Sequence, residues 1–391
     1  MAVTIGDLLN MEIMQDFKIV AGSKGLSRTV SLTEILDFEF MDEGIAYRQR
    51  GFLGNSIVLT SLLFAKDKPE LILQTLKKLI SQDVQAMAYK PVFFEKLPQE
   101  ALDYAERMKF PVLEFGRDEF FEDIIFSIRS LTEQDNILGQ TEPLIREMLG
   151  RKFTEEEAAD AHERMNPLLR PLVTVLFIRD KELRGNQINA KIRRSRPDEK
   201  LRSKTFVGKY EDLFVVILSL DDNQKERFET LLEDVLISYG LIDRELVMGL
   251  SNPRRLDDRF DEAIREAYWA QKVAEIEGDR KRYYRDLGIY QLIVSYIHTT
   301  PMRRYVQNFF APLFDEEEKD GELLHTAIEY VLAKGDAVKA AEHLYCHKNT
   351  IRYRIGKLQE KLDPCSNEKE FYLNLAVAVK IYLLTNEKKE E

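Results

Sequence analysis

The sequence predicts a multidomain protein of α/β and α+β class that ends in an all-α domain, and three observations carry that prediction. Short β-rich runs alternate with helical ones over residues 1–125. A second mixed region opens at Pro171, and from Pro301 onward the pattern is wholly helical. We therefore expect an α/β domain over 1–125, a helical connector over 126–166, an α+β domain over 167–298 and an all-α domain over 299–391.

Taken in order, the runs SLTEILDF, SIVLTSL, VQAMAYK and FPVLEF read as strands. Between them, PELILQTLKKLISQD and PQEALDYAERMK place apolar residues at three- and four-residue spacing after a proline, as amphipathic helices do. The alternation predicts a parallel or mixed sheet covered by helices, with AGSKGLSRTVS as a loop before the first predicted strand. In an open α/β sheet ligands favour the carboxyl ends of the strands, which makes Thr60, Ser61, Tyr89 and Glu114 candidate effector-pocket residues. Polar residues that end strands and touch only water would look the same.

The connector reads as FFEDIIFSIRSLTEQDNILG, TEPLIREMLG and FTEEEAADAHERM, with Thr154 the expected N-cap of the last run. It could pair with a second copy of itself. In the second mixed region LVTVLFIRD is a strand, KTFVGKYEDLFVVILSL a hairpin, DNQKERFETLLEDVLISYG an amphipathic helix and ELVMGLS a strand. A long helix, RRLDDRFDEAIREAYWAQKVAEIEG, ends at Gly278. The basic run Lys191, Arg193, Arg194 and Arg196 is bracketed by Pro197, Asp198 and Glu199, and a solvated face is the expectation there, with nucleic-acid contact a distant second. The helical end divides into runs with breaks expected at Gly321, Gly335, Cys346 and Pro364.

Length and composition bound the rest. A chain of 391 residues exceeds what one core serves, and 44% hydrophobic with 32% charged residues is an ordinary globular composition. The start lacks the basic and apolar regions of a secretory signal, and the longest apolar runs fall well short of the ~20 residues that cross a bilayer. Cys346 and Cys365 are not spaced as a CxxC pair, so a reducing cytoplasm is the expected compartment, with no membrane partner. A net charge of -11 excludes polyanion binding by the whole surface but leaves a local basic patch open.

Such a patch lies in LYCHKNTIRYRIGKLQEKL, residues 344–362. On a helix, Ile351, Ile355, Leu358 and Leu362 form one narrow apolar stripe. The opposite side presents Asn349, Tyr353, Gly356 and Glu360, flanked by Thr350, Lys357, Lys361 and Arg352. The preceding short helix, DAVKAAEHLYC, has apolar positions Val338, Ala341 and Leu344 and the small pair Ala340 and Ala341, which permits close approach. That order describes a helix-turn-helix, whose second helix enters the major groove N-terminus first. His347, Lys348, Asn349 and Thr350 then lie at base edges, where Asn reads adenine and Lys reaches guanine or phosphate. Arg352, Arg354, Lys357 and Lys361 are expected to anchor phosphates, with Tyr353 on the same face. Charge alone does not separate this reading from a basic helix that merely packs. His343, Cys346 and His347 form HxxCH, but an expected helix break falls inside it and no further ligand cluster is visible, so no metal is expected.

The segment LLHTAIEYVLAKGDAVKAAEHLYCHKNTIRYRIGKLQEKL resembles the C-terminal DNA-binding domain of the PucR/CdaR family of bacterial transcriptional regulators. The family's His-x-Asn-Thr-x-x-Tyr-Arg run is matched by His347, Asn349, Thr350, Tyr353 and Arg354. DLGIYQLI is similar to the segment that follows the family's central GGDEF-like domain. The opening, from TIGDLL through VAGSKGLSRTVSLTEI to NSIVLTS, resembles its N-terminal domain. The resemblance implies a sequence-specific, DNA-binding regulator, an activator of a catabolic or nitrogen-metabolism operon, whose N-terminal domain senses a small metabolite. Partners are then double-stranded DNA, the metabolite and a second copy of the chain in a homodimer or higher homo-oligomer, with no cofactor. The central domain departs from active diguanylate cyclases. A cyclase needs a Gly-Gly-Asp/Glu-Glu-Phe turn so that backbone amides approach phosphates and carboxylates hold metal. The matching VGKYEDLFVV has only Gly208, followed by Lys209 and Tyr210, so no enzyme activity is expected. A nucleotide-binding or cyclic-dinucleotide-responsive protein built on this domain is the alternative.

Overall fold

The computed structural model describes residues 3–36, 52–116, 119–195, 197–314 and 320–386. Arg196, the far end of SLTEILDF and the charged tail from Glu387 lie outside them. The chain divides into two compact units, Met1–Pro143 and Leu144–Glu391.

The first unit carries α1 (Ile5–Leu9), β1 (Lys18–Ala21), β2 (Leu32–Ile35), β3 (Ser56–Thr60), α2 (Glu70–Ser81), β4 (Ala86–Tyr89), α3 (Gln99–Arg107), β5 (Val112–Glu114) and the start of α4 (Phe121–Gly150). Its sheet runs β1-β5-β4-β3-β2. The last four are parallel and β1 is antiparallel to β5, so the sheet is mixed. Buried β3 and β4 read as continuous apolar runs because both sheet faces are covered. Ile72, Leu76 and Leu79 of α2 with Ala101 and Ala105 of α3 pack on one face, and Ile5, Leu8, Ile124 and Ile128 on the other. The sequence pattern hid β1, whose four residues KIVA pair only at the sheet edge. It also split α4, which runs unbroken through Gly139 and Pro143. Buried Leu138, Leu144, Ile145 and Met148 on either side of that pair stabilise the helix against its breakers.

The second unit opens on the end of α4 and continues with α5 (Glu155–Met165), capped by Thr154, whose hydroxyl accepts from Glu157 N while the Glu157 carboxylate accepts from Thr154 N. There follow β6 (Leu172–Asp180), α6 (Gly185–Arg194), α7 (Glu199–Arg202), β7 (Thr205–Tyr210), β8 (Leu213–Leu220), α8 (Phe228–Ser238), β9 (Leu246–Leu250), β10 (Arg254–Arg255), α9 (Phe260–Glu277) and β11 (Lys281–Tyr283). The sheet order is β11-β9-β6-β8-β7, with β10 on β6, and only the β9 to β11 pairing is parallel. The predicted long helix starts later than its apolar pattern suggests, because Arg254 and Arg255 pair with Val173 and Leu172 as a strand. It ends at Gly278, in the left-handed region at φ 73°. Gly249 is required where α9 crosses β9, since a Cβ there would sit 1.8 Å from Gln271 N. The hairpin turn falls at Glu211 and Asp212, and Gly208 and Tyr210 are strand residues.

The helical end holds α10 (Ile289–Tyr296), α11 (Thr300–Phe314), α12 (Asp320–Leu332), α13 (Ala337–His343), α14 (Lys348–Leu362) and α15 (Glu368–Thr385). Gly321, where a break was expected, lies in the first turn of α12. The expected boundary near 298 runs through a continuous core. Ala270 and Val273 of α9 share one apolar cluster with Tyr290, Phe310, Leu358 and Leu375. Lys380 on α15 donates to Glu277 of α9 at 3.1 Å, and Arg282 pairs with the same carboxylate at 2.6 Å.

Candidate nucleic-acid interface

The interface is built on α12, α13 and α14. Asp336 caps α13 by accepting from Val338 N at 2.8 Å and Lys339 N at 3.3 Å, and these bonds hold its carboxyl below the usual range. Ala340 and Ala341 are buried against Ile351 and Ala333, so the small pair brings the two helices close as expected. Val338 does not join that contact; it faces outward, because the packing side of so short a helix falls on the alanines. The turn from Leu344 to Cys346 puts Tyr345 in the left-handed region at φ 50° with 96% of its surface exposed. Glycine often occupies such a turn, and a bulky residue there bears a backbone penalty. Charge and periodicity gave Tyr345 no weight; its aromatic side chain at a turn position was the available signal.

His347 is the N-cap of α14, its Nδ1 accepting from Asn349 N at 3.2 Å. His343 turns instead to Glu329, Nδ1 to Oε2 at 3.0 Å, so the two imidazoles of the HxxCH run have separate tasks. Ile351 and Leu358 are fully buried and Ile355 and Leu362 pack beside them, as the stripe predicts. Lys348, Asn349, Arg352, Tyr353, Gly356 and Lys357 are exposed together on the other side, and Thr350 and Lys361 are half-buried at its margins. The Lys357 ammonium stands over the Tyr353 ring, 4.9 Å from its centre.

Arg354 departs from the expectation of a phosphate anchor. Its side chain is 19% exposed and forms an ion pair with Glu322 and a 3.3 Å hydrogen bond to the Thr326 hydroxyl, both on α12. The position lies between the buried stripe and the open face, and a long cation there reaches the neighbouring helix before it reaches solvent.

Three of the four candidates of the first unit, Thr60, Tyr89 and Glu114, lie side by side in the sheet. Thr60 stands opposite Tyr89 in the β3 and β4 register, and Tyr89 opposite Glu114 in that of β4 and β5, so the carboxyl ends of three parallel strands present one row. The Tyr89 hydroxyl donates to Glu114 at 2.8 Å, and burial, reinforced by that carboxylate, pushes its pKa well up. The Thr60 hydroxyl accepts from Leu62 N at 2.9 Å, and Thr60 and Tyr89 are buried. Ser61 follows directly on the buried row, and Glu114 is its partly exposed member, with Lys18 at 3.8 Å.

Comparison with known proteins meets this geometry at both ends of the chain. The sequence profile of the purine catabolism regulatory protein-like family matches residues 7–131, and that of the PucR C-terminal helix-turn-helix domain matches residues 323–381. The proline-responsive transcriptional activator PutR of Bacillus subtilis (strain 168) is 25% identical over 277 residues, 68% of this chain and 65% of that protein. The purine catabolism regulatory protein of the same organism is 26% identical over 83 residues, 21% of this chain and 16% of that protein. The matches thus span less than two thirds of either relative. A solved structure, the regulator of polyketide synthase expression from Bifidobacterium adolescentis, aligns with 64% of this chain and all of its own at 13% identity and a TM-score of 0.29, too low to carry the fold.

Proposed function

We propose that this chain, which belongs to the PucR family of transcriptional regulators, binds specific operator DNA through α14 and activates transcription in response to a small metabolite. One observation carries the reading. Lys348, Asn349, Arg352, Tyr353 and Lys357 share an open face, while Ile351 and Leu358 tie the same helix to its domain. His347 to Thr350 lead into the major groove, Asn349 reads a base edge, and Arg352, Lys357 and Lys361 hold phosphate. Arg354 belongs to a different role, fixing α14 on α12 so that the leading residues are presented at a set angle. One recognition helix covers few base pairs, so the working form is a homodimer on paired half-sites about one helical turn apart.

Activation and a metabolite trigger are supported by the likeness to PutR, which is a proline-responsive activator by name. The strand-end row of Thr60, Ser61, Tyr89 and Glu114 is one place where an effector of the α/β domain would act. We read the central domain as non-catalytic. Its hairpin turn offers two acids instead of glycines, and Asp212 accepts from Gly185 N at 2.7 Å. Such a turn repels phosphates.

Fluorescence anisotropy with labelled duplexes from the region upstream of its own gene tests the reading on the full chain. We expect retention at low salt, specific for one sequence. Asn349→Ala should relax preference at one base pair by about 1–3 kcal/mol, whereas Lys357→Ala weakens all sequences alike. No retention at low salt overturns the proposal, and equal losses across sequences for both variants overturn the division of roles.

A further inference from the structure

The central sheet has a second face, opposite the core shared with α5 and α9, and α8 covers it. Along β6, Val173, Val175 and Phe177 enter that core, so Thr174 looks the other way. There a cleft enclosing about 410 Å³, open mouth included, lies between α8 and the sheet. The cleft is partly enclosed and has room for a small molecule. Leu218, Leu232 and Leu250 line it with Phe228 and Pro253.

Thr174 lines the cleft with a hydroxyl that has no hydrogen-bond partner, in a residue only 4% exposed. A buried hydroxyl left unmatched costs free energy. Ser251 beside it is committed, accepting from Val175 N at 3.0 Å and donating to Asn252 O at 3.1 Å. Two charges complete the lining. The Glu229 carboxylate is kept ionised by Lys281 at 2.6 Å and by the Tyr283 hydroxyl, with acceptor capacity remaining. The Arg285 guanidinium stacks on Tyr283, 4.9 Å from the ring centre, and its ion pair with neighbouring Asp286 is a loose 3.8 Å.

We propose that this cleft binds a small α-amino acid with an apolar side chain, the Thr174 hydroxyl and Arg285 holding its carboxylate, Glu229 its ammonium and the leucines its body. The inference rests on the reading of the chain as a metabolite-responsive regulator and gives that response a site outside the N-terminal domain. It also gives a route to the DNA-binding helix. Arg285 lies in the turn that leads, through Gly288, into α10, whose Tyr290, Ile293 and Val294 pack in the same core as Leu358 of α14. A ligand that holds Arg285 in one arrangement favours one packing of that core, the differential affinity a switch requires.

Isothermal titration calorimetry on the full chain with L-proline, L-valine and L-leucine tests the site. Saturable binding of at least one is expected. Thr174→Val, which keeps the shape, and Arg285→Gln, at the surface, should each weaken it by about tenfold or more while leaving a cooperative thermal transition. Binding by none of the three, or binding that survives both substitutions, overturns the proposal. Anisotropy with operator DNA separates the two levels. If an amino acid alters DNA affinity equally in both variants and the parent, the cleft is not the site and the regulator reading stands. If no duplex is retained, that reading fails whatever the calorimetry shows.

Discussion

Two helices of this chain carry dense positive charge, and they use it in opposite ways. In α6 the cations Lys191, Arg193 and Arg194 stand in the last turn, where the helix dipole is negative and favours them. In α14, Lys348 is the first helical residue and Arg352 follows one turn later, with no acid in the first turn to offset the positive end. The first arrangement stabilises its own helix; the second works against it, which is the arrangement expected of a helix proposed to meet an anion from outside. Elsewhere in the central domain arginines turn inward. Arg259 and Arg265 both hold the buried Asp261, at 3.0 and 2.5 Å, and Arg244 holds Asp180. Charge count alone does not tell the two helices apart; the position of the cations along each helix does.

The largest effect should come from cutting the stripe beneath the charges. Leu358→Ala removes a fully buried side chain from the core joining α14 to α9, α11 and α15, and should cost about 2–5 kcal/mol, read as a lower midpoint in chemical unfolding. DNA retention should fall with it. If α14 held its place by charge alone, the midpoint would not move.

Next comes the inward pairing. Burial alone would raise the carboxyl of Asp261, but Arg259, Arg265 and the amide of Phe153 outweigh it and bring the pKa down from 3.8 to about 2. A folded pKa below the unfolded one means stability that is complete above the unfolded value and is lost as pH falls through the folded one. The parent should therefore lose about 2 kcal/mol between pH ~4 and ~2, and Asp261→Asn should abolish that part of the acid transition. Circular dichroism against pH measures it, and identical profiles would remove Asp261 from the account.

Much of this was legible in the sequence, and the exceptions share a physical cause. The stripe of α14, the alanine pair of α13, the Thr154 cap and the Gly278 stop are local rules written into neighbouring residues, and each is found. The edge strand β1, the continuity of α4 past Pro143 and the inward turn of Arg354 depend on partners distant in the chain. Lys18 pairs with Glu114, and Arg354 meets Glu322 across two helices. The cleft at Thr174 belongs to the same class. Its hydroxyl looks like any strand threonine until the sheet register sets Leu218 opposite it and Leu250 is found lining the same cleft.

The smallest effect decides between the two basic helices. Each phosphate contact contributes about 0.9 to the slope of log affinity against log salt. The double variant Lys348→Ala with Arg352→Ala should lower that slope by roughly 2, because both side chains are exposed on the face proposed to enter the groove. The matching double variant in α6, Lys191→Ala with Arg194→Ala, should leave the slope unchanged and lose only the few tenths of a kcal/mol that cations contribute at a helix end. Equal changes in slope would place α6 on the DNA as well, and the contrast between a cation that completes its helix and one that waits for an anion would no longer hold.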